Sequence, residues 1–214
     1  MVSTTVLGQD RRALAVDART HRVFVVNDLG GTVSVLDARS GALVRTVAVG
    51  RRPIAVAVDE RVGRVYVANN GDNSLSILGA HSGTPLHTVA VGQNPDAVAV
   101  DERRGRVYVA SAGATDAAGN PAGPGSIDVL DARSGQIART MAVGVAPSAV
   151  AVDERTGNVF VVNAGGTVSQ PGAWAWVPRW VRRWLPFLPS QAARTRTVPG
   201  SLSVVAAEYP ARTP

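Results

Sequence analysis

At 214 residues, with 45% hydrophobic and 18% charged side chains, the chain has ample apolar material for a packed core, which excludes a disordered polypeptide. It contains no cysteine, so disulfide frameworks and thiolate metal sites are excluded. Its formal charge of +6 is local: six arginines and no acidic residue lie from Arg155 to Ala207, and the remainder sums to zero.

All 22 basic residues are arginine, which reads as genome composition. No apolar run reaches the length of a membrane span. Met1 to Leu7 lacks the basic-then-apolar layout of a signal peptide, so the expectation is either a cytoplasmic protein or a targeting segment absent from this sequence.

In chain order, Ser3 to Leu7 reads as a lone strand, and then a unit recurs four times. Ala15-Val16-Asp17-Ala18-Arg19 leads to Val23-Phe24-Val25-Val26-Asn27, and Ala57-Val58-Asp59-Glu60-Arg61 leads to Val65-Tyr66-Val67-Ala68-Asn69. Ala99-Val100-Asp101-Glu102-Arg103 leads to Val107-Tyr108-Val109-Ala110-Ser111, and Ala151-Val152-Asp153-Glu154-Arg155 to Val159-Phe160-Val161-Val162-Asn163. The aspartates at 17, 59, 101 and 153 are spaced by 42, 42 and 52 residues.

The second unit shows the predicted pattern. Strand a covers Ile54 to Val58, its small and β-branched residues suited to tight packing near an axis. A glycine-bearing turn leads to strand b, Arg64 to Ala68, then Asn70-Gly71-Asp72-Asn73 turns into strand c, Ser74 to Leu78. A second glycine turn gives strand d, His87 to Val91, and Gly92-Gln93-Asn94-Pro95 returns the chain to the next unit. A unit this short cannot bury both faces of its sheet alone, so its neighbours stack on it. Radial stacking of four-stranded antiparallel sheets predicts an all-β propeller over residues 1–214, with a β-solenoid as the competing arrangement.

Val-Tyr-Val-Ala-Asn at 65–69, Val-Phe-Val-Val-Asn at 23–27 and 159–163, and the Gly-x-x-Pro returns at Gly50/Pro53, Gly92/Pro95 and Gly144/Pro147 resemble the YVTN-type β-propeller repeat family, which includes YncE-like and surface-layer-associated proteins. The resemblance implies a propeller scaffold in an extracytoplasmic setting, at the cell surface or in the periplasm. The chain departs from the family in three ways: Gly8-Gln9-Asp10-Arg11 lacks the proline, there are four units where six to eight are usual, and two units carry insertions.

The chain ends bear on ring closure. Ser201 to Val205 aligns with strand c and no strand d follows it, whereas Ser3 to Leu7 aligns with strand d. Pairing them completes the fourth blade and closes a four-bladed ring; the alternative is a homodimer in which two chains form one eight-bladed ring.

Both insertions, at about 113–125 and 164–200, fall in the b–c connection, which shares a rim with the d–a returns. The first, rich in glycine, alanine and proline, reads as a flexible loop without assigned chemistry. The second holds all four tryptophans. A short helix predicted between Pro178 and Pro186 groups Trp176, Trp180 and Trp184 on one side and Arg179, Arg182 and Arg183 on the other, with Trp174 just before it. Such a segment suits a protein partner or a membrane surface, and equally suits packing onto its own rim. Nucleic acid ranks third, because the positive patch ends with the segment.

No catalytic, metal or cofactor site is assigned. His21, His81 and His87 have no ligand-like spacing. The repeated aspartates read as turn initiators, and Asn27, Asn69 and Asn163 as caps of the b–c turn. The functional expectation is a non-enzymatic binding scaffold working at the rim; the alternative is a lactonase-like or streptogramin-lyase-like hydrolase or lyase at the channel mouth.

Overall fold

The computed structural model describes residue 7, residues 10–170 and residues 194–205. The first sheet runs β1 (Arg11–Asp17), β2 (Arg22–Asn27), β3 (Thr32–Asp37), β4 (Leu43–Ala48), all antiparallel and in chain order. The second is β5 (Pro53–Asp59), β6 (Arg64–Asn69), β7 (Ser74–Gly79), β8 (Pro85–Ala90), and the third β9 (Pro95–Asp101), β10 (Arg106–Ser111), β11 (Ser126–Asp131), β12 (Ile137–Ala142). The fourth contains β13 (Pro147–Asp153) and β14 (Asn158–Asn163), then β17 (Ser201–Val205). Between them β15 (Gly166–Gln170) and β16 (Arg194–Val198) pair as a two-stranded ribbon, Gly166 opposite Val198 and Gln170 opposite Arg194.

The fourth sheet thus has three strands among the described residues. In the proposed clasp of Ser3–Leu7 onto Ser201–Val205, Ser3 to Val6 lie outside the described residues. The inner strands β1, β5, β9 and β13 pack side by side in that order, and no equivalent packing of β13 on β1 is present among the described residues. The architecture is all-β and propeller-like, an arc of stacked antiparallel sheets.

Alternation explains the stacking. Successive residues of strand b point to opposite faces, so Phe24 and Val26 face the second sheet, where Val65, Val67 and Leu78 meet them. Tyr66 and Ala68, on the other face of β6, meet Val107, Val109 and Leu130 of the third sheet. Tyr108 and Ala110 then meet Val159 and Val161 of the fourth. The core is therefore three equivalent slabs between sheets. Burying each large aliphatic side chain in them contributes roughly 1.5–3 kcal/mol.

The turns follow the expected chemistry. Oδ1 of Asp17, Asp59 and Asp101 accepts the amide hydrogen of Thr20, Val62 and Arg104, each at 2.9 Å. The asparagines differ from expectation. Asn27 Nδ2 donates to Thr32 Oγ1 and Ser34 Oγ, and Asn69 Nδ2 to Ser74 Oγ and Ser76 Oγ, at 2.9–3.1 Å. They tie strand b to strand c inside the sheet, because a buried amide must find partners across the pair of strands rather than in the exposed turn.

Candidate functional site

The rim of the arc is built by the d–a returns and the b–c turns, and one repeated backbone device joins them. The residue just before each strand a adopts a left-handed conformation: Asp10 at φ 54°, Arg52 at 48°, Asn94 at 52° and Ala146 at 51°. Its carbonyl accepts the N–H that opens the b–c turn of the same unit, from Asp28, Asn70, Ala112 and Ala164 respectively, at 2.8–2.9 Å. Non-glycine residues hold this conformation only where the surroundings impose it. The imposed geometry leaves the side chain free to vary, and it varies from acid to base to amide to methyl.

The glycine of each return has a different cause. A Cβ on Gly50 would lie 2.6 Å from Asn69 Cγ, and one on Gly144 would lie 2.5 Å from Asn163 Cγ. These glycines are required by close approach to the buried b-strand amide, at ordinary φ.

The side chains held at this rim form a polar ladder across the first three units. Arg12 pairs with the buried Asp28 at 2.9 Å, and Arg52 reaches the same carboxylate at 4.0 Å. Asn70 Nδ2 donates to Asp96 Oδ1 at 3.2 Å and to the Pro95 carbonyl at 3.3 Å. Burial pushes the Asp96 carboxyl above its ordinary range, against the opposing pull of the Asn70 bond and the Arg52 charge. Farther out, Arg51 pairs with Asp72 at 2.7 Å, and its amide bond to that carboxylate is the main cause holding Asp72 low. The corresponding positions of the fourth unit are Ala146, Ser148 and Ala164, without charge.

Both insertions are on this rim. The third-unit loop, read as flexible from its composition, carries local structure of its own. A Thr115–Pro121 bridge closes it, and Asp116 Oδ1 accepts the amides of Ala118 and Asn120 at 2.9 Å. A Cβ on Gly166 would lie 3.6 Å from Pro121 Cγ, so this loop borders the base of the fourth-unit ribbon. That ribbon brackets residues 171–193. Trp174, Trp176, Arg179, Trp180, Arg182, Arg183 and Trp184, and the helix expected among them, therefore lie outside the described residues.

The histidines are dispersed. His21, in the a–b turn, meets the Ala18 carbonyl through Nδ1 at 2.7 Å and Arg39 through Nε2; His81 and His87 are exposed. Among the described residues no group of three or more His, Asp or Glu side chains is placed to hold a metal ion. Arg12, Asp28, Arg52, Asn70 and Asp96 escaped the sequence reading. They lie outside the motifs that recur from unit to unit, so the repeat did not single them out.

No protein-family model and no curated protein sequence matches the chain. Solved structures do. It is similar to hydrazine synthase of Kuenenia stuttgartiensis (21% identity, TM-score 0.63, 79% of this chain and 48% of that one). It is also similar to a functionally unknown protein of Desulfotomaculum acetoxidans (18%, 0.60, 75% and 53%), and to the computationally designed protein Ika8 (19%, 0.55, 71% and 42%). These likenesses concern the fold. The chain spans about half the length of the structures it matches.

Proposed function

We propose that the chain is a non-enzymatic propeller scaffold of the YVTN type that engages a partner at the rim formed by its b–c and d–a loops. One observation carries this reading: a backbone device that is the same in all four units holds side chains at that rim that differ from unit to unit, and both long insertions emerge there. A fixed frame with variable side chains at one edge is how repeat scaffolds separate stability from recognition. The Trp/Arg segment supplies the anchoring chemistry, with indole rings for an apolar or interfacial surface and guanidinium groups for anionic groups beside it.

The test is co-sedimentation with vesicles of phosphatidylglycerol and phosphatidylcholine, comparing the full chain with one lacking residues 171–193. The scaffold reading with a lipid-facing segment expects the full chain alone to pellet with the anionic vesicles. Equal partitioning of the two removes the lipid-facing role and leaves a protein partner. Turnover of a lactone by the full chain, abolished by Asp96→Asn, would replace the scaffold with the hydrolase reading.

A further inference from the structure

Every internal interface of the arc is the same interface. The leading sheet offers an aromatic and a small residue of strand b with two aliphatics of strand c: Phe24, Val26, Val33 and Val35, then Tyr66, Ala68, Leu75 and Ile77. The following sheet answers with alternate residues of its strands a and b, such as Val56, Val58, Val65 and Val67. The fourth sheet ends the series with Phe160, Val162, Leu202 and Val204 in the leading positions, and the last three are 49%, 59% and 56% exposed. The first sheet begins it with Leu14 and Val16 in the answering positions of Val56 and Val58, at 64% and 51% exposed. Among the described residues, one copy of each half of this interface, made three times between the sheets, is thus left unmatched.

We propose that these two faces pair between two copies of this chain, head to tail, so that the arcs complete one ring. Two features favour a second copy over self-closure. β13 and β1 lack, among the described residues, the packing that joins β1 to β5, β5 to β9 and β9 to β13. The two exposed faces also complement each other position by position through the repeat, as a heterologous interface that closes by rotation requires.

A second series of contacts marks this junction as different from the internal ones. Glu60 Oε1 accepts the Ala18 amide hydrogen at 2.8 Å, Glu102 Oε1 that of Glu60 at 2.7 Å, and Glu154 Oε1 that of Glu102 at 3.3 Å. Each carboxylate latches its sheet to the backbone of the one before. The residue equivalent to Glu60, Glu102 and Glu154 in the first sheet is Ala18, which has no carboxylate to offer the Glu154 amide of another copy. The junction between copies has the apolar match without the latch, which makes it the one that opens.

This inference rests on the propeller arrangement of the sheets and is independent of what the rim binds; vesicle binding can fail without moving the masses that follow. The experiment is the solution mass by light scattering across a dilution series. The wild-type chain is expected at twice 22.1 kDa at high concentration. Leu202→Glu and Leu14→Glu, each introduced on a side chain that is already exposed, are expected at the single-chain mass. Their equimolar mixture is expected to regain the pair, because one unblocked head still meets one unblocked tail. Ala18→Glu supplies the missing latch and is expected to tighten the dissociation constant about tenfold, the effect of one hydrogen bond to a charged group. A wild-type chain at the single mass throughout, a mixture that stays at that mass, an Ala18→Glu chain no tighter than wild type, or a ladder of masses beyond the pair overturns the proposal.

Discussion

Tyr66 Oη donates a hydrogen bond of 2.5 Å to the Ala132 carbonyl, across the slab between the second and third sheets. Both atoms are buried, and burial pushes the phenol's pKa upward, so the hydroxyl is a donor at every working pH. The equivalent residues in the first and fourth sheets are Phe24 and Phe160, so the slab between the first two sheets forms without this bond. Tyr66→Phe is expected to cost about 1 kcal/mol, because the Ala132 carbonyl stays buried and loses its partner. Urea unfolding midpoints of the two proteins measure it.

The glutamate latch separates charge from hydrogen bonding. Burial, the largest influence, raises the Glu102 carboxyl; the Glu60 amide acts the other way, and the neighbouring acids Asp59, Glu154 and Glu60 add to the rise. A carboxyl raised in the folded state weakens the fold as pH climbs through its titration, and the cost is complete above its folded pKa. Glu102→Gln keeps the acceptor and removes that cost, so it is expected to match or exceed wild-type stability at pH 7. Glu102→Ala is expected to lose about 1–2 kcal/mol. Guanidinium titrations of the three proteins at pH 7 give the order.

At the rim, Asp96 offers a second titration. Its carboxyl is also raised by burial, so the charged form is the less favourable one in the folded chain. Asp96→Asn is expected to raise the melting temperature at pH 7 and to leave it unchanged well below the carboxylate range, where wild-type Asp96 is already protonated. A variant less stable than wild type at pH 7 would show that the charge at 96 is held by something stronger than the Asn70 bond.

Two glycines test two kinds of requirement. Gly63 has φ +70° with no atom within 4 Å of an added Cβ, whereas a Cβ on Gly50 would lie 2.6 Å from Asn69 Cγ. Gly63→Ala is expected to cost about 1 kcal/mol from backbone strain alone, and Gly50→Ala about 2–3 kcal/mol from overpacking. Thermal denaturation that reverses this order would contradict the close-approach account of the Gly-x-x-Pro returns.

Strands a to c were legible almost to the residue, because alternation and turn glycines recur in register: strand b of the second unit was expected at Arg64–Ala68 and is Arg64–Asn69. Strand d starts earlier than its apolar residues suggest, at Pro85, since its exposed outer edge carries little pattern. The ribbon Gly166–Gln170 with Arg194–Val198 was missed because its two halves are far apart in sequence and belong to one unit only, so no repeat announces them. The rim ladder was missed for the opposite reason. Repeats draw attention to what is constant, and Arg12, Asp28, Arg52 and Asp96 occupy the columns that change. Glu60, Glu102 and Glu154 were seen, but as part of a turn. Their bonds run to the neighbouring sheet, a relationship that spacing within one unit does not reveal.

The central claim is that a single sheet-to-sheet interface, repeated, builds this molecule and continues past its ends. The most direct measurement uses the absence of native cysteine: Ala18→Cys and Glu154→Cys are made in separate chains, mixed, and treated with a short bifunctional maleimide. Between separate chains Ala18 follows Glu154 in the line of latch positions only if the first sheet of one copy seats on the fourth sheet of another; a chain carrying both cysteines is made beside them to report closure of a chain on itself. The account predicts a cross-linked pair containing one chain of each kind, at a yield well above that of either chain alone. Cross-linking confined to a single chain carrying both cysteines, with none between chains, would contradict it.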